Sequence, residues 1–453
     1  MRGLLLSTLL LASCAVGPDY EVPSKELEAS FKNAGFKQAP PEGSWWGLYR
    51  DPQLNRLIKD ADTKGQGVRS ALARYDQSRA VLGLAKADVY PAVTGDLYAR
   101  RRQDSSNTNF SAGSYNDYRA ALNLSWEIDL WGRVRRNIGA NRAEMEATGY
   151  DFQGLILSLR GEVTRAYVSL RFADAEIDLL TRTKKLRREA KDLMEKRFRI
   201  GASSKIDYER SITEHESVQA ELAELQAQRG RFENALAVLT GHSASGFTIA
   251  PNGKLPTIPS VPSSVPSELL RRRPDLAAAE RRLAAASETI GLAIASYLPR
   301  LTLTGTGGVQ SLSSSDLINP GSKLWSLGPE LDLPFFQGGR AFADKNRAEA
   351  AYREALGIYR GKLLEAIRET EDSLGDSRHL ARASGSRKRG AASADTAARL
   401  TRKRYTSGVT DYFEVVDAER TALSEERAAL SIDLARALAS TRLIQALGGG
   451  WQR

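Results

Sequence analysis

From Arg119 to Leu130 the chain alternates. Ala120, Leu122, Leu124, Trp126, Ile128 and Leu130 occupy one set of positions, and Arg119, Ala121, Asn123, Ser125, Glu127 and Asp129 the other. Period two places the sets on opposite faces of a β-strand, and about twelve residues suffice for a tilted strand to cross a bilayer. Val93, Gly95, Leu97 and Ala99 alternate with Thr94, Asp96, Tyr98 and Arg100, and Leu301, Leu303 and Gly305 with Thr302, Thr304 and Thr306. Trp325, Leu327, Leu331 and Leu333 alternate with Ser326, Gly328, Glu330 and Asp332. Strands are expected near 91–100, 119–131, 299–307 and 324–334. A soluble sheet would need a second apolar layer, and no nearby segment supplies one. Asp, Glu and Arg opposite Trp and Leu suit a water-filled lumen and a lipid exterior. "RRQDSSNTNFSAGSYND" (Arg101 to Asp117) and "GGVQSLSSSDLINPGSK" (Gly307 to Lys323) read as polar loops. Pro91 and Pro299 mark where helix gives way to strand, and Gly132, Gly338 and Gly339 where the backbone bends back into helix.

Elsewhere the period is helical. Phe152, Leu159, Ala166, Ala173 and Leu180 fall seven apart, and Ile156, Val163, Leu170 and Ile177 lie four residues on, which is coiled-coil spacing. A long helix is expected over 133–199, roughly 100 Å at 1.5 Å per residue. The next, Lys205 to Thr240, is about half that length. "GHSASGFTIAPNGKLPTIPSVPSSVPS" then interrupts the pattern with Pro, Gly and Ser, and Glu268 to Tyr297 resumes it.

The chain repeats itself. "ADVYPAVT" (Ala87 to Thr94) resembles "ASYLPRLT" (Ala295 to Thr302), and "EIDLWGR" (Glu127 to Arg133) resembles "ELDLPFFQGGR" (Glu330 to Arg340). "NRAE" recurs at Asn141 and Asn346, and "RFRIGASSKIDYERS" (Arg197 to Ser211) resembles "RYTSGVTDYFEVVDAERT" (Arg404 to Thr421). The matches keep their order, so the chain is two copies of one helix, strand, strand, long helix, helix unit. The expected organisation is a signal peptide (1–13), an N-terminal tether (14–51), a first repeat (52–240), a mid-height linker (241–267), a second repeat (268–447, long helix 341–404) and a tail (448–453). Four strands cannot close a barrel, since small barrels need about eight. An open edge in lipid leaves backbone groups unpaired, so strands from several chains must complete the ring. Three chains would supply about twelve.

Composition adds a location. Met1 and Arg2 precede a short apolar run, Leu4 to Leu11, too short to span a bilayer as a helix. Leu11-Ala12-Ser13-Cys14 fits a lipobox, with the only cysteine of 453 residues as the first mature residue. Its thiol would carry a diacylglycerol and its amine an acyl chain. One cysteine leaves no disulfide framework within one chain. The net charge is +10, but "KKLRR" (Lys184 to Arg188) and "RKR" (Arg387 to Arg389) lie in helical pattern without interleaved aromatics. They read as solvated helix faces, not a nucleic-acid surface. His215, His242 and His379 are scattered, which fits solvated side chains and no metal site. "GTGG" (Gly305 to Gly308) ends a strand with no helix after it, so it is no phosphate cradle. No cofactor and no catalysis are expected.

These residues resemble the TolC-type outer-membrane efflux proteins, specifically the lipoprotein branch paired with resistance-nodulation-division pumps. The resemblance runs from Cys14 to Trp451. It rests on "CAVGPDYEVP", "WWGLYRDPQLNRLI", "LLRRRPDLAAAERRL", "LDLPFFQGGR" and "ALGGGW", in family order. It implies a mainly α chain with a transmembrane β-barrel part, trimeric and twelve-stranded, continuing into a long helical tunnel across the periplasm. It also implies a periplasmic adaptor and an inner-membrane transporter as partners, and passive conduction of drugs, toxic small molecules or ions to the exterior.

By the same resemblance, Arg197, Gly201, Ser204, Arg404 and Gly408 form the tips that contact the adaptor. Glu414 and Asp417 would line the closed end as rings of carboxylates that repel one another and attract cations. The first repeat has Asp207 at Glu414's place but Arg210 at Asp417's. A type I secretion outlet shares this fold. A periplasmic coiled-coil adaptor lipoprotein would instead carry one helical hairpin and small β-domains.

Overall fold

The computed structural model describes residues 15–23, 32, 44–105, 107, 113–259 and 272–449. Cys14 and part of the mid-height linker lie outside them. The chain packs as two compact units, and neither is a sequence repeat. One unit holds Ala73–Tyr150 and Ala278–Gly361 with the N-terminal segment, and the other holds Asp151–Ala277 and Lys362–Arg453 with residues 25–72. Each therefore draws on both repeats.

The first unit is built on one antiparallel sheet in chain order, β1 (Ala92–Gln103), β2 (Ser114–Ile128), β3 (Arg300–Ser311) and β4 (Lys323–Asp332). β1, β2 and β3 run further into the polar loops than the alternation predicts, with Gln103 opposite Ser114 and Tyr118 opposite Ser311. Polar residues pair there as readily as apolar ones because the ladder is made by backbone groups. β2 stops at Ile128 instead of 131. The Asp129 carboxylate has turned to accept from the amides of Val134 (3.1 Å) and Arg135 (3.0 Å) at the start of the next helix. Arg136 draws the N-terminal segment onto this unit. It donates to the carbonyls of Val16 (3.1 Å) and Gly17 (3.2 Å) and pairs with Glu288 (3.1 Å).

The second unit is helical. Its elements are α1 (Pro52–Lys64), α3 (Arg133–Arg199) from Asp151 onward, α4 (Lys205–Leu239), α6 (Arg340–Thr406) from Lys362 onward, and α7 (Tyr412–Ala446). α2 (Gln66–Ala87) and α5 (Pro274–Ala295) complete the chain. The heptad residues Val163 and Leu170 are fully buried and meet Leu54, Ile58 and Leu236. Trp45 and Tyr49, on the stretch expected to be a tether, belong to this core, and the Tyr49 hydroxyl bonds Thr441 at 2.6 Å. Residues 249–252 dock on α3 and α4. Arg229 donates to the Ile249 carbonyl (2.6 Å), Arg171 to that of Ala250 (3.0 Å), and the Asn252 amide to Asp174 (3.0 Å). No described helix is long and apolar enough to cross a membrane.

Candidate functional site

The sheet has two chemically distinct faces. Register aligns Gly95, Leu122, Gly307 and Trp325 across all four strands, and Val93, Leu124, Gly305 and Leu327 on the next apolar row. Leu97 and Trp325 are each 82% exposed and Leu122 61%, so nothing among the described residues covers this face. The opposite face is a hydrogen-bonded polar lining. Arg119 pairs with Asp96 (3.2 Å), Thr306 donates to Asn123 (3.0 Å), and Arg100 and Gln310 both donate to Asp117 (2.9 and 2.8 Å). An uncovered apolar face belongs in lipid, whereas a lining of ion pairs and hydroxyls belongs in water. β1 and β4 each have one edge with no partner strand among the described residues.

The strand–helix joints lie where the proline and glycine pattern predicts. Pro91 and Pro299 immediately precede β1 and β3. Gly132 (φ 80°), Gly338 (φ 56°) and Gly339 (φ 82°) take left-handed backbone before α3 and α6. Trp131 donates to the Pro299 carbonyl at 2.8 Å, which ties one joint to the other.

The turns that reverse the long helices are near copies. The Ala202 amide donates to the Arg197 carbonyl (2.8 Å) and Gly201 to Phe198 (3.0 Å). In the second turn Val409 donates to Arg404 (2.9 Å) and Gly408 to Tyr405 (3.0 Å). Both are Schellman closures, with Gly201 at φ 70° and Gly408 at φ 74°. Ser204 caps α4 by accepting from the Asp207 amide (3.1 Å), and Asp411 caps α7 by accepting from Glu414 (3.1 Å). Sequence reading passed over Asp411, although its three-residue spacing to Glu414 mirrors Ser204 and Asp207 and is the signature of a capped start. The Arg197 guanidinium donates to the Tyr405 hydroxyl (2.6 Å), so the two turns touch; Arg404 is exposed.

A Cβ at Gly201 or Gly408 would meet open space, so alanine there is opposed only by its backbone conformation. Gly201→Ala should cost about 1–2 kcal/mol. Hydrogen exchange at the Ala202 amide should accelerate, and unchanged protection would refute the left-handed closure.

Above the turns lies a charge cluster that the sequence did not reveal. Arg187, inside the basic run expected to be solvated, is 2% exposed. It bonds Glu419 of α7 (2.8 Å) and faces Glu214 of α4 (3.4 Å). Arg402 of α6 donates to Glu419 (2.9 Å), and Arg420 pairs with Glu214. Four helices thus share one ionic network. Beneath it Met194, Tyr412, Val415 and Val416 are buried together, and burial pushes the Tyr412 phenol up to about 12. His215 is buried too, contrary to the solvated reading, with no partner for its Nδ1 among the described residues. In the second basic run Arg387 pairs with Glu425 (3.0 Å) and Lys388 with the buried Asp433 (2.7 Å). Burial would raise the Asp433 carboxyl, but Lys388, Ser384 and Arg436 outweigh it and hold it below the usual carboxylate range.

Glu414 and Asp417 lie on the exposed side of α7, and Asp417 adds to the field at Arg420 of this network. The Glu414 carboxylate accepts from the Thr410 hydroxyl. Arg210, the first-repeat residue at Asp417's place, stacks on Phe413 at 4.9 Å. The strands and joints belong to one unit and the turns to the other, so the predicted residues form two sites.

Comparison with known proteins concerns the chain as a whole. The chain is 32% identical to the outer membrane protein OprJ of Pseudomonas aeruginosa, over 99% of this chain and 95% of OprJ. It is 28% identical to the cation efflux system protein CusC of Escherichia coli O6:H1, over 98% and 97%. Among solved structures it superposes on the outer-membrane channel OprN with a TM-score of 0.90 at 30% identity, over 97% of this chain and 100% of that one. Two helical hairpins and one four-stranded sheet do not fit the single-hairpin plan of an adaptor. With residues 57–242 and 265–449 matching its profile, one stretch in each repeat, the chain belongs to the Outer membrane efflux protein family and is an outer-membrane efflux channel.

Proposed function

We propose that three copies of this chain close one twelve-stranded barrel and form the exit duct of a tripartite efflux system. The observation that carries this reading is the sheet, which among the described residues has two unpartnered edges, one uncovered apolar face and one hydrogen-bonded polar face. Joining β4 of one copy to β1 of the next satisfies the edges without any further element. The turns at Gly201 and Gly408 receive a periplasmic adaptor, which couples the duct to an inner-membrane resistance-nodulation-division transporter. Conduction is passive, and the cargo is drugs, toxic small molecules or ions. Cys14 carries the S-diacylglycerol and N-acyl chains of a lipoprotein and tethers each chain to the membrane before assembly. Purified protein in detergent should run as a heat-resistant trimer; a monomer would end the reading.

Opening is a rearrangement of the turn-end helices, with Glu414 and Asp417 facing the pore near its narrow end. Six carboxylates would then face one lumen and favour cations. Replacing both with alanine should raise single-channel conductance and weaken cation preference in a planar bilayer. Unaltered conductance and selectivity would remove them from the gate.

A further inference from the structure

Two helix faces of the second unit have coiled-coil spacing and are exposed along their length among the described residues, Glu209 and Thr213 at the turn end bordering a groove shared with Phe413 and Arg420. On α6, Arg382, Ser386, Arg389, Ser393, Thr396, Leu400 and Lys403 recur at intervals of four and three, and all seven are exposed. On α4, Glu209, Thr213, Glu216, Ala220, Ala223 and Ala227 recur likewise, all exposed, with exposed Glu224 beside them. One stripe is basic and the other acidic, and both are otherwise small or neutral apart from Leu400. The ion pairs that hold α4 and α6 within the chain leave from other residues: Glu214 to Arg420, Arg402 to Glu419, Arg387 to Glu425 and Lys388 to Asp433.

By count from the turn glycines the stripes match position for position. Counted from the turn glycines Gly201 and Gly408, Glu209 and Leu400 each stand eight residues away, Thr213 and Thr396 twelve, and Glu216 and Ser393 fifteen. Ala220 and Arg389 stand nineteen away, Ala223 and Ser386 twenty-two, and Ala227 and Arg382 twenty-six. α4 runs away from its turn and α6 toward its own, so side by side they are antiparallel. Rotation about an axis parallel to the helices leaves each level unchanged. The charges then interleave, with Lys403 three residues below Glu209, Arg389 four above Glu216, and Arg382 three above Glu224. These offsets are about 4.5–6 Å, within reach of long side chains. Small side chains between the charges let two backbones approach closely.

We infer that the acidic stripe of α4 in one copy packs against the basic stripe of α6 in the next, as an antiparallel seam between copies. The inference rests on the trimeric reading above and adds the face, the direction and the register by which the copies meet.

The test is oxidative crosslinking in native membranes. Thr213→Cys with Thr396→Cys, and Ala220→Cys with Arg389→Cys, place thiols at equal levels. Thr213→Cys with Arg389→Cys separates them by seven residues, about 10 Å along the helix. The two equal-level pairs should yield covalent dimers and trimers on a non-reducing gel, and the offset pair and each single cysteine none. Adding Glu216→Arg to the Thr213/Thr396 pair should suppress the ladder, and adding Arg389→Glu as well should restore it. A native trimer in which neither equal-level pair links, or in which the offset pair links equally, overturns the seam and leaves the trimer standing. Absence of any native trimer overturns the trimeric reading itself, and the seam with it.

Discussion

Leu122→Arg is expected to abolish trimer accumulation in the outer membrane, whereas Ser125→Arg, three residues along the same strand, is expected to be tolerated. Leu122 sits mid-strand on the apolar face between Gly95 and Gly307, which offer no side chain to cover it. An arginine facing the middle of the bilayer costs about 2–4 kcal/mol per copy, and a trimer incurs it three times. Ser125 is exposed on the polar face, where a guanidinium stays in water. The gel readout is the heat-modifiable trimer in membrane fractions. Equal accumulation of the two variants would show that the apolar face does not meet lipid.

The second large effect is expected at Arg187. Arg187→Met leaves the carboxylates of Glu214 and Glu419 facing each other, each with one remaining partner, Arg420 and Arg402. Removing one member of a buried ion pair costs about 3–5 kcal/mol, and here the two carboxylates lose the cation they share. The loss falls on the turn end of the second unit. Trimers should therefore still form, but with higher basal conductance and faster exchange at the amides near Glu214 and Glu419. Arg187→Lys keeps a cation facing both carboxylates and should retain most of the closed behaviour. If Arg187→Met alone matches the parent in conductance and exchange, the network does not hold the helices together.

The two effects differ in how visible their causes are in the chain. Leu122 announces itself by strict alternation, because a strand with one wet and one oily face must repeat every second residue. Its neighbours Pro91 and Gly132 are equally plain, since only special backbone chemistry turns helix into strand and back. Arg187 carries no such mark. It stands in "KKLRR", where four of five residues are cationic, and local pattern cannot say which one faces inward. That depends on Glu214, 27 residues on, and on Glu419, 232 residues on, arriving at the same spot. His215 is hidden in the same way. Asp411 is an intermediate case, a local capping signal overlooked beside a more conspicuous acidic pair.

The amino-acid sequence by itself determined the elements, their duplication, the two faces of the sheet and the turn glycines, because each follows from contacts within a few residues or from a short period. Tertiary structure alone decided that the two repeats are not the two packing units and that Trp45 and Tyr49 are core. It also decided that a basic run contains a buried arginine serving two carboxylates. These are properties of which distant segments meet. Burial and ion pairing belong to the space between helices, and a periodic pattern along one helix records a buried face without naming what fills it.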